Sequence, residues 1–333
     1  LSQEPGIGEV RSTFETAIER ELGALRLRDL RGPATMLSDR YRFGDTTGDS
    51  HGFASGEAQA YLATRVPATF AATRRVLAEL GSLRPGWAPT SLLDLGAGPG
   101  TATWAAVAVF PSIERAELVE REPEMAALGI RLAGSGSADL SVDAAWTIAD
   151  AAEIPALRSD LVVAAYVLGE LGHDRERSAL ERWWGATRDE LVLVEPGTPA
   201  GFERLREARS VLISWGARVT APCPHDECCP MTGSDWCHFA VRLERSSLHR
   251  DLKRARLGYE DEKYSYLAVS PRRPSAPVAR LLRSPRRHQG HVRLRLCEAG
   301  GLNERVISRS DGEVYKRARA ARWGDRVELS RSS

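Results

Sequence analysis

The stretch Ser91–Ala106, SLLDLGAGPGTATWAA, restricts the folds open to this chain more than any other. Leu92–Leu95 is a short apolar run suited to a strand buried on both faces. Gly96, Gly98 and Gly100 follow at once and permit a tight turn into a helix starting near Thr101. Such a turn lets backbone approach a ligand closely and aims the free N–H groups of the helix start at it. Downstream, Ala116–Glu120 (AELVE), Ala145–Asp150 (AWTIAD), Asp160–Tyr166 (DLVVAAY) and Glu190–Pro196 (ELVLVEP) read as further strands. Helix-length segments separate them, and this alternation predicts an α/β, Rossmann-like doubly wound sheet. Ligands of such sheets bind outside the carboxyl ends of the strands, near the switch point. Gly96, Glu120, Asp150 and Tyr166 are expected on that rim, Glu120 to accept ribose hydroxyls and Asp150 to meet an adenine amino group.

The order of these signals resembles the class I S-adenosylmethionine-dependent methyltransferases. DLGAGPG is similar to their first motif, with Asp94 at the strand end and Gly96, Ala97, Gly98 and Gly100 in the turn. Glu120 and Asp150 match the later acidic positions, and the resemblance implies S-adenosyl-L-methionine as cofactor. A nicotinamide enzyme is the competing reading, against which the GxGxG spacing stands. No catalytic residue is identified. AYVLGEL after the fourth strand lacks the N-P-P-Y or D-P-P-Y turn that holds an exocyclic amine, and no cysteine pair is placed for C5 methylation.

Around this core, a helix is expected over Val10–Leu30, and Gly44–Gly56 reads as a polar, Gly-rich loop. Gly56–Leu80 reads as two helical pieces, because Pro67 suits a first helical turn and not a helix interior. Tyr61, Arg65 and Thr69 there fall near one face. After the fifth strand come a helix running to Gly216 and two alternating segments, His238–Arg245 and Tyr264–Ser270. These two are expected as a closing antiparallel pair, with the charge run LGYEDEK (257–263) a solvated turn before the last strand. The expected organisation is an N-terminal helical region (1–80), a methyltransferase-like domain (81–270) with a cysteine-rich insert at 221–239, and a small, basic, β-rich C-terminal module (271–333).

The insert, APCPHDECCPMTGSDWCHF, holds Cys223, Cys228, Cys229 and Cys237, with His225 and His238 among them; the fifth cysteine is Cys297. Clustered soft ligands point to zinc or an iron–sulfur centre over harder cations. A tetrahedral zinc site is open to Cys223, Cys229 and Cys237 with Cys297, His225 or His238. Paired C-x2-C knuckles are missing, and on a strand the adjacent Cys237 and His238 point to opposite faces. A loop of small buried cysteines is the plain alternative.

Charge is divided unevenly. Residues 271–333 carry sixteen Lys or Arg against six Asp or Glu, so this tail is at +10 and the remainder at −9. Such a split is a hint of nucleic-acid binding by the basic part, where Tyr315 and Trp323 are interleaved with arginines. An odd number of crowded cysteines argues against a secreted disulfide framework. The first residues hold neither a basic n-region nor an apolar h-region, and no run approaches the roughly eighteen apolar residues of a spanning helix. The expectation is a soluble, cytoplasmic, monomeric protein without a membrane partner.

Taken together, AYLATRVPAT, SLLDLGAGPGTATWA, YVLGEL, LVEPGTPAGF, APCPHDECCP, DWCHF, YEDEKYSYL, HVRLRLC and YKRARAARWGD resemble, in order, the blocks of one family. It is that of the mitochondrial small-ribosomal-subunit methyltransferase-like proteins and their bacterial relatives. The resemblance implies S-adenosylmethionine binding, a [4Fe–4S] cluster, and a role in small-ribosomal-subunit assembly through contact with its RNA. Carried over residue by residue, it places cluster ligands at Cys223 and Cys229 of C-P-H-x-x-x-C-P, Cys237 of W-C-H-F, and Cys297. Cys228, beside Cys229, leaves the local choice open. Methyl transfer to rRNA, a non-catalytic RNA-binding scaffold and a small-molecule methyltransferase are the functions that this fold allows.

Overall fold

Strands that are apolar on both faces need covering layers, and from Ser91 to Ser214 the chain supplies a helix after every strand but the third. The computed structural model describes residues 7–23, 25–43, 56–134, 140–154, 157–253, 255–272 and 279–328. Four helices come first: α1 (Ile7–Gly23), α2 (Leu27–Phe43), α3 (Glu57–Thr64) and α4 (Val66–Leu83). The alternating part follows as β1 (Ser91–Leu95), α5 (Thr101–Val109), β2 (Arg115–Glu120), α6 (Pro123–Ala133), β3 (Asp143–Ile148), β4 (Ser159–Ala165), α7 (His173–Gly185), β5 (Thr187–Pro196) and α8 (Pro199–Ser214). Next are β6 (Arg218–Ala221), β7 (Phe239–Glu244), α9 (Ser247–Lys253) and β8 (Tyr259–Ser270). The chain closes with β9 (Ala279–Leu281), β10 (Arg286–Arg287), β11 (His291–Glu298), β12 (Gly301–Ser308), α10 (Glu313–Ala320) and β13 (Arg326–Val327).

Two compact units result. One holds the described residues up to Val194 together with Val241–Glu262; the other holds Glu195–Ala240 and the described residues from Lys263 on. They cut across the expected boundaries, since positions on both sides of 80/81 fall in the first unit and on both sides of 270/271 in the second.

In the first unit the strands run β3-β2-β1-β4-β5, all parallel. Every residue of β1 is buried, as a central parallel strand requires. The chain builds outward from β1 to β3, then restarts at β4 on the other side, so the switch point lies between β1 and β4. This is the expected Rossmann-like α/β sheet. The N-terminal helices close it by aromatic packing: Phe14 of α1 stacks on Trp104 of α5 and tilts against Phe70 of α4, each at 5.0 Å between ring centroids. Burying one such ring contributes about 1.5–3 kcal/mol.

Several sequence expectations are corrected. The helix expected over Val10–Leu30 is two, α1 and α2, broken after Gly23, a residue that costs a helix about 1 kcal/mol relative to Ala. The split at Pro67 is as expected, with the proline in the first turn of α4. The charge run at 257–263 is no solvated turn, because Tyr259 onward belongs to β8. Its carboxylates meet arginines of and beside β7: Arg242 grips Asp261 through two 2.8 Å bonds, and Arg245 lies 2.7 Å from Glu260. Gly44–Ser55 of the expected loop, and residues 273–278 of the expected basic C-terminal module, lie outside the described residues.

In the second unit, β6 pairs antiparallel with β8 (Arg218↔Ser270, Val219↔Val269). The cysteine stretch therefore follows β6 and precedes β7, whereas the sequence placed it before the sixth strand. β6 is four residues long, too short to register as a period. Further on, β10-β11-β9-β13, with β12 on β11, form a second sheet. Val292, Leu294 and Leu296 of β11 turn inward with Leu281, Ala318 and Val327, while Arg293 and Arg295 between them face solvent. Among the described residues no helix is long and apolar enough to cross a membrane.

Candidate functional site

The turn after β1 is built for close approach. Gly96, Gly98 and Gly100 have φ of 62°, 54° and 80°, a region that other residues rarely adopt. At Gly96 the need is also steric: an added Cβ would lie 2.3 Å from Cγ2 of Val167. Ala97, buried beside it, donates its amide to the Val119 carbonyl at 3.0 Å and ties the turn to β2. Asp94 points away from the rim. Its Oδ2 accepts from the Thr103 amide (2.9 Å) and hydroxyl (2.8 Å), pinning α5 to β1. Burial pushes the Asp94 carboxyl up to about 7 against the pull of the two Thr103 bonds.

Glu120 ends β2 with both oxygens held: Oε2 accepts from the Gly98 amide at 2.7 Å and Oε1 from the Glu122 amide at 2.8 Å. Burial raises its pKa, and these two amides oppose the shift. Each oxygen keeps a second lone pair, so the carboxylate is aimed while its accepting capacity is only half used. Asp150 lies beyond the end of β3. It accepts from the Ala152 amide at 2.8 Å and pairs with Arg175 at 2.9 Å. Partial burial pushes its pKa up, but those partners outweigh it and hold the carboxyl below its usual value. Tyr166, just past β4, has φ 63° and donates its hydroxyl to Glu262 Oε1 at 3.2 Å. A bulky residue held at positive φ stores strain of about 1–3 kcal/mol, which clusters at functional sites.

Other groups at this rim were not assigned from the sequence. The Glu170 side chain is 48% exposed, yet surrounding protein pushes its carboxyl up to about 7, with Arg121 opposing. Tyr61 is similar: burial pushes it up to about 12, while Arg65 and a hydrogen bond with Thr69 pull the other way. Tyr61, Arg65 and Thr69 thus come together as their spacing predicted. Glu170 lay within YVLGEL, and Glu262 within the charge run read as a turn.

In the second unit, Cys223, Cys229, Cys237 and Cys297 line one cavity of about 590 Å³, part of it open to solvent. Cys228 is exposed and does not line it, so of the two neighbouring cysteines only Cys229 faces the cavity. Cys229, Cys237 and Cys297 also pack with Met231 and Leu282 in one apolar cluster. Burial raises the thiol pKa of Cys223, raises Cys237 well above its usual value, and pushes Cys297 up to about 12. Nearby cysteines add to each shift, so the four groups sense one another. His225 Nε2 lies 3.6 Å from the Cys297 sulfur. His238 instead stacks on Trp236 at 4.8 Å and meets the edge of Trp323 at 4.8 Å. Three arginines also line it: Arg206, paired with Glu203 at 2.5 Å, and the buried Arg209 and Arg280, which nothing in the local sequence separates from the many surface arginines.

The C-terminal sheet and α10 carry a basic surface. Arg286, Arg293, Arg295, Arg309, Arg317, Arg319 and Arg322 are exposed. Arg293 and Arg295 pair with Glu304 and Asp235, whereas Arg286, Arg309 and Arg322 form no ion pair among the described residues.

With this geometry in place, comparison with known proteins gives a consistent result. A family model described as mitochondrial small ribosomal subunit Rsm22 matches residues 55–328. The human mitochondrial ribosome assembly protein METTL17 is 28% identical over 294 residues, covering 82% of this chain and 63% of that protein. The mitochondrial Rsm22-cox11 tandem protein 2 of Schizosaccharomyces pombe is 24% identical over 325 residues, covering 81% of this chain and 43% of its own length. The chain thus spans less than two-thirds of the length of either relative. A solved magnesium protoporphyrin IX methyltransferase of Synechocystis overlaps 74% of this chain and 98% of its own at 12% identity, with a TM-score of 0.41, too loose to carry a functional argument. The cytoplasmic expectation is corrected by these matches: the family and both relatives are described as mitochondrial. Lack of a secretory h-region has no bearing on mitochondrial leaders, which are amphipathic and Arg-rich. A match over most of the chain settles the family, and this protein belongs to the Rsm22 family.

Proposed function

We propose that the protein is a small-ribosomal-subunit assembly factor that binds S-adenosylmethionine at the rim of its first unit. In this reading Cys223, Cys229, Cys237 and Cys297 hold a [4Fe–4S] cluster, and the basic C-terminal surface contacts rRNA. The observation that carries it is the convergence of four cysteines, three from the loop after β6 and one from β11, on one cavity. The donor set fits the group, since four thiolates complete a cubane with the fourth from a distant segment. The preference for iron–sulfur over zinc rests on the resemblance of the cysteine blocks and on the lack of paired C-x2-C knuckles. When bound, the cluster supplies a one-electron redox centre and a cross-link between the cysteine loop and β11.

For the cofactor, Glu120, held by two amides, would accept the ribose hydroxyls, and the glycines of the Gly96–Gly100 turn would let it approach closely. Asp150 would have to share its carboxylate between the adenine amino group and Arg175. METTL17 is named a ribosome assembly protein, and the exposed Arg286, Arg309 and Arg322 suit phosphate contact. A second reading adds methyl transfer to rRNA. It is favoured by Tyr166, held at positive φ just past β4 and hydrogen-bonded to Glu262, a carboxyl that burial raises.

RNA affinity tests the proposal. Binding of small-subunit rRNA fragments by the wild type should weaken steeply with salt. Replacing Arg286, Arg309 and Arg322 by Glu should remove about three phosphate contacts. At the single-strand slope, three contacts correspond to roughly a 20-fold loss between 50 and 200 mM salt. Affinity independent of salt and of these arginines would exclude the RNA role.

A further inference from the structure

Arg209 of α8 and Arg280 of β9 are 4% and 3% exposed, and both line the cysteine cavity. No carboxylate lines it with them. Arg209 donates through one terminal nitrogen to the His225 carbonyl at 2.7 Å and hydrogen-bonds the Cys223 thiol. Its Nε is buried without a partner, and no carboxylate pairs with it among the described residues. Arg280 donates to the carbonyls of Pro222 (2.9 Å) and Gly324 (2.8 Å) and lies directly across from Cys297 in the β9–β11 register. A guanidinium cannot shed its proton at any ordinary pH. Among the lining residues there is no carboxylate to offset these guanidinium charges.

Resting on the iron–sulfur reading of this cavity, we infer that Arg209 and Arg280 are the charge partners of the centre. Four thiolates on a 2+ cubane core would carry a net charge of −2, which the buried guanidinium groups offset; the third arginine of the lining, Arg206, is already paired with Glu203 at 2.5 Å. The same charges favour the reduced centre. When the core takes up one electron it passes from 2+ to 1+ and the whole centre from −2 to −3, a state that nearby cations stabilise more. Arg209 and Arg280 thereby raise the reduction potential, and the apoprotein bears the cost of burying Arg209, whose Nε has no partner. This assigns the two arginines a role that burial for packing would not give: removing one weakens the loaded protein while relieving the empty one.

The test compares wild type, Arg209→Met and Arg209→Lys, reconstituted anaerobically with ferrous iron and sulfide. Arg209 is preferred to Arg280, which also bridges two backbone segments. The Met variant should lose iron to a chelator at least tenfold faster. Its midpoint in a dithionite titration should fall by about 59 mV, the one-electron equivalent of a tenfold change in the ratio of reduced to oxidised centre. Its apoprotein should melt at the same temperature as wild type or higher, and the Lys variant should recover most of the iron retention. Unchanged iron loss and midpoint in Arg209→Met would overturn the inference while leaving the cluster intact. An apoprotein destabilised in step with the loaded form would overturn it too, by making Arg209 a structural prop. Wild type that takes up zinc without sulfide would remove the cluster reading and the potential shift with it. Faster zinc loss from the Met variant would then still support the charge-partner role.

Discussion

Replacing Asp94 by Asn should change how stability depends on pH. In a free chain this carboxyl titrates near 3.8; in the fold burial pushes it up to about 7. A group whose folded pKa is raised contributes stability below its unfolded pKa, and that stability is lost as pH rises through the folded value. The full cost of ionising Asp94 is then about 4 kcal/mol, at 1.36 kcal/mol per pKa unit. With the side chain 1% exposed, there is no solvent screening to discount. Between pH 5 and pH 8 the part of the cost that appears is about 2.5 kcal/mol. Asparagine keeps an oxygen for the Thr103 amide and hydroxyl but does not titrate. Urea unfolding at a series of pH values should therefore show Asp94→Asn gaining on wild type by about that amount from pH 5 to pH 8. Because Glu120 and Glu170 titrate in both proteins, only the difference between them is read. A difference flat across this range would refute the argument that Asp94 is a buried internal brace.

Gly96→Ala forces a Cβ against Val167 at a φ of 62°, and the overpacking alone should cost about 1–3 kcal/mol. Thermal melting should drop, and calorimetric titration with S-adenosylmethionine should show binding weakened or lost; an unaffected melting temperature would contradict the tight contact between this turn and Val167. Cys228→Ser should keep its metal content while Cys229→Ser loses it, because only Cys229 lines the cavity; equal losses in the two would show that Cys228 is also a ligand.

How legible each feature was depends on how local its cause is. The β1 strand and its glycine turn were readable because an apolar run and three closely spaced glycines act within ten residues. Strand boundaries were less so: β3 runs Asp143–Ile148, which leaves Asp150 in a turn where Arg175 can reach it. The acidic run before the last strand misled because Arg242 and Arg245, which neutralise it, lie fifteen or more positions upstream. The cysteine motif announced soft-metal chemistry, but which of Cys228 and Cys229 turns inward is set by packing against Met231 and Leu282. Arg209 and Arg280 left no trace, since burial of an arginine is decided by elements distant in sequence.

The central question is what the four cysteines bind. Iron, acid-labile sulfide and zinc per chain, measured on protein purified without oxygen beside a Cys297→Ser variant, decide it. The prediction is about four iron and four sulfide in the wild type, falling sharply in the variant. One zinc per chain without sulfide would contradict it and make the cavity a zinc site.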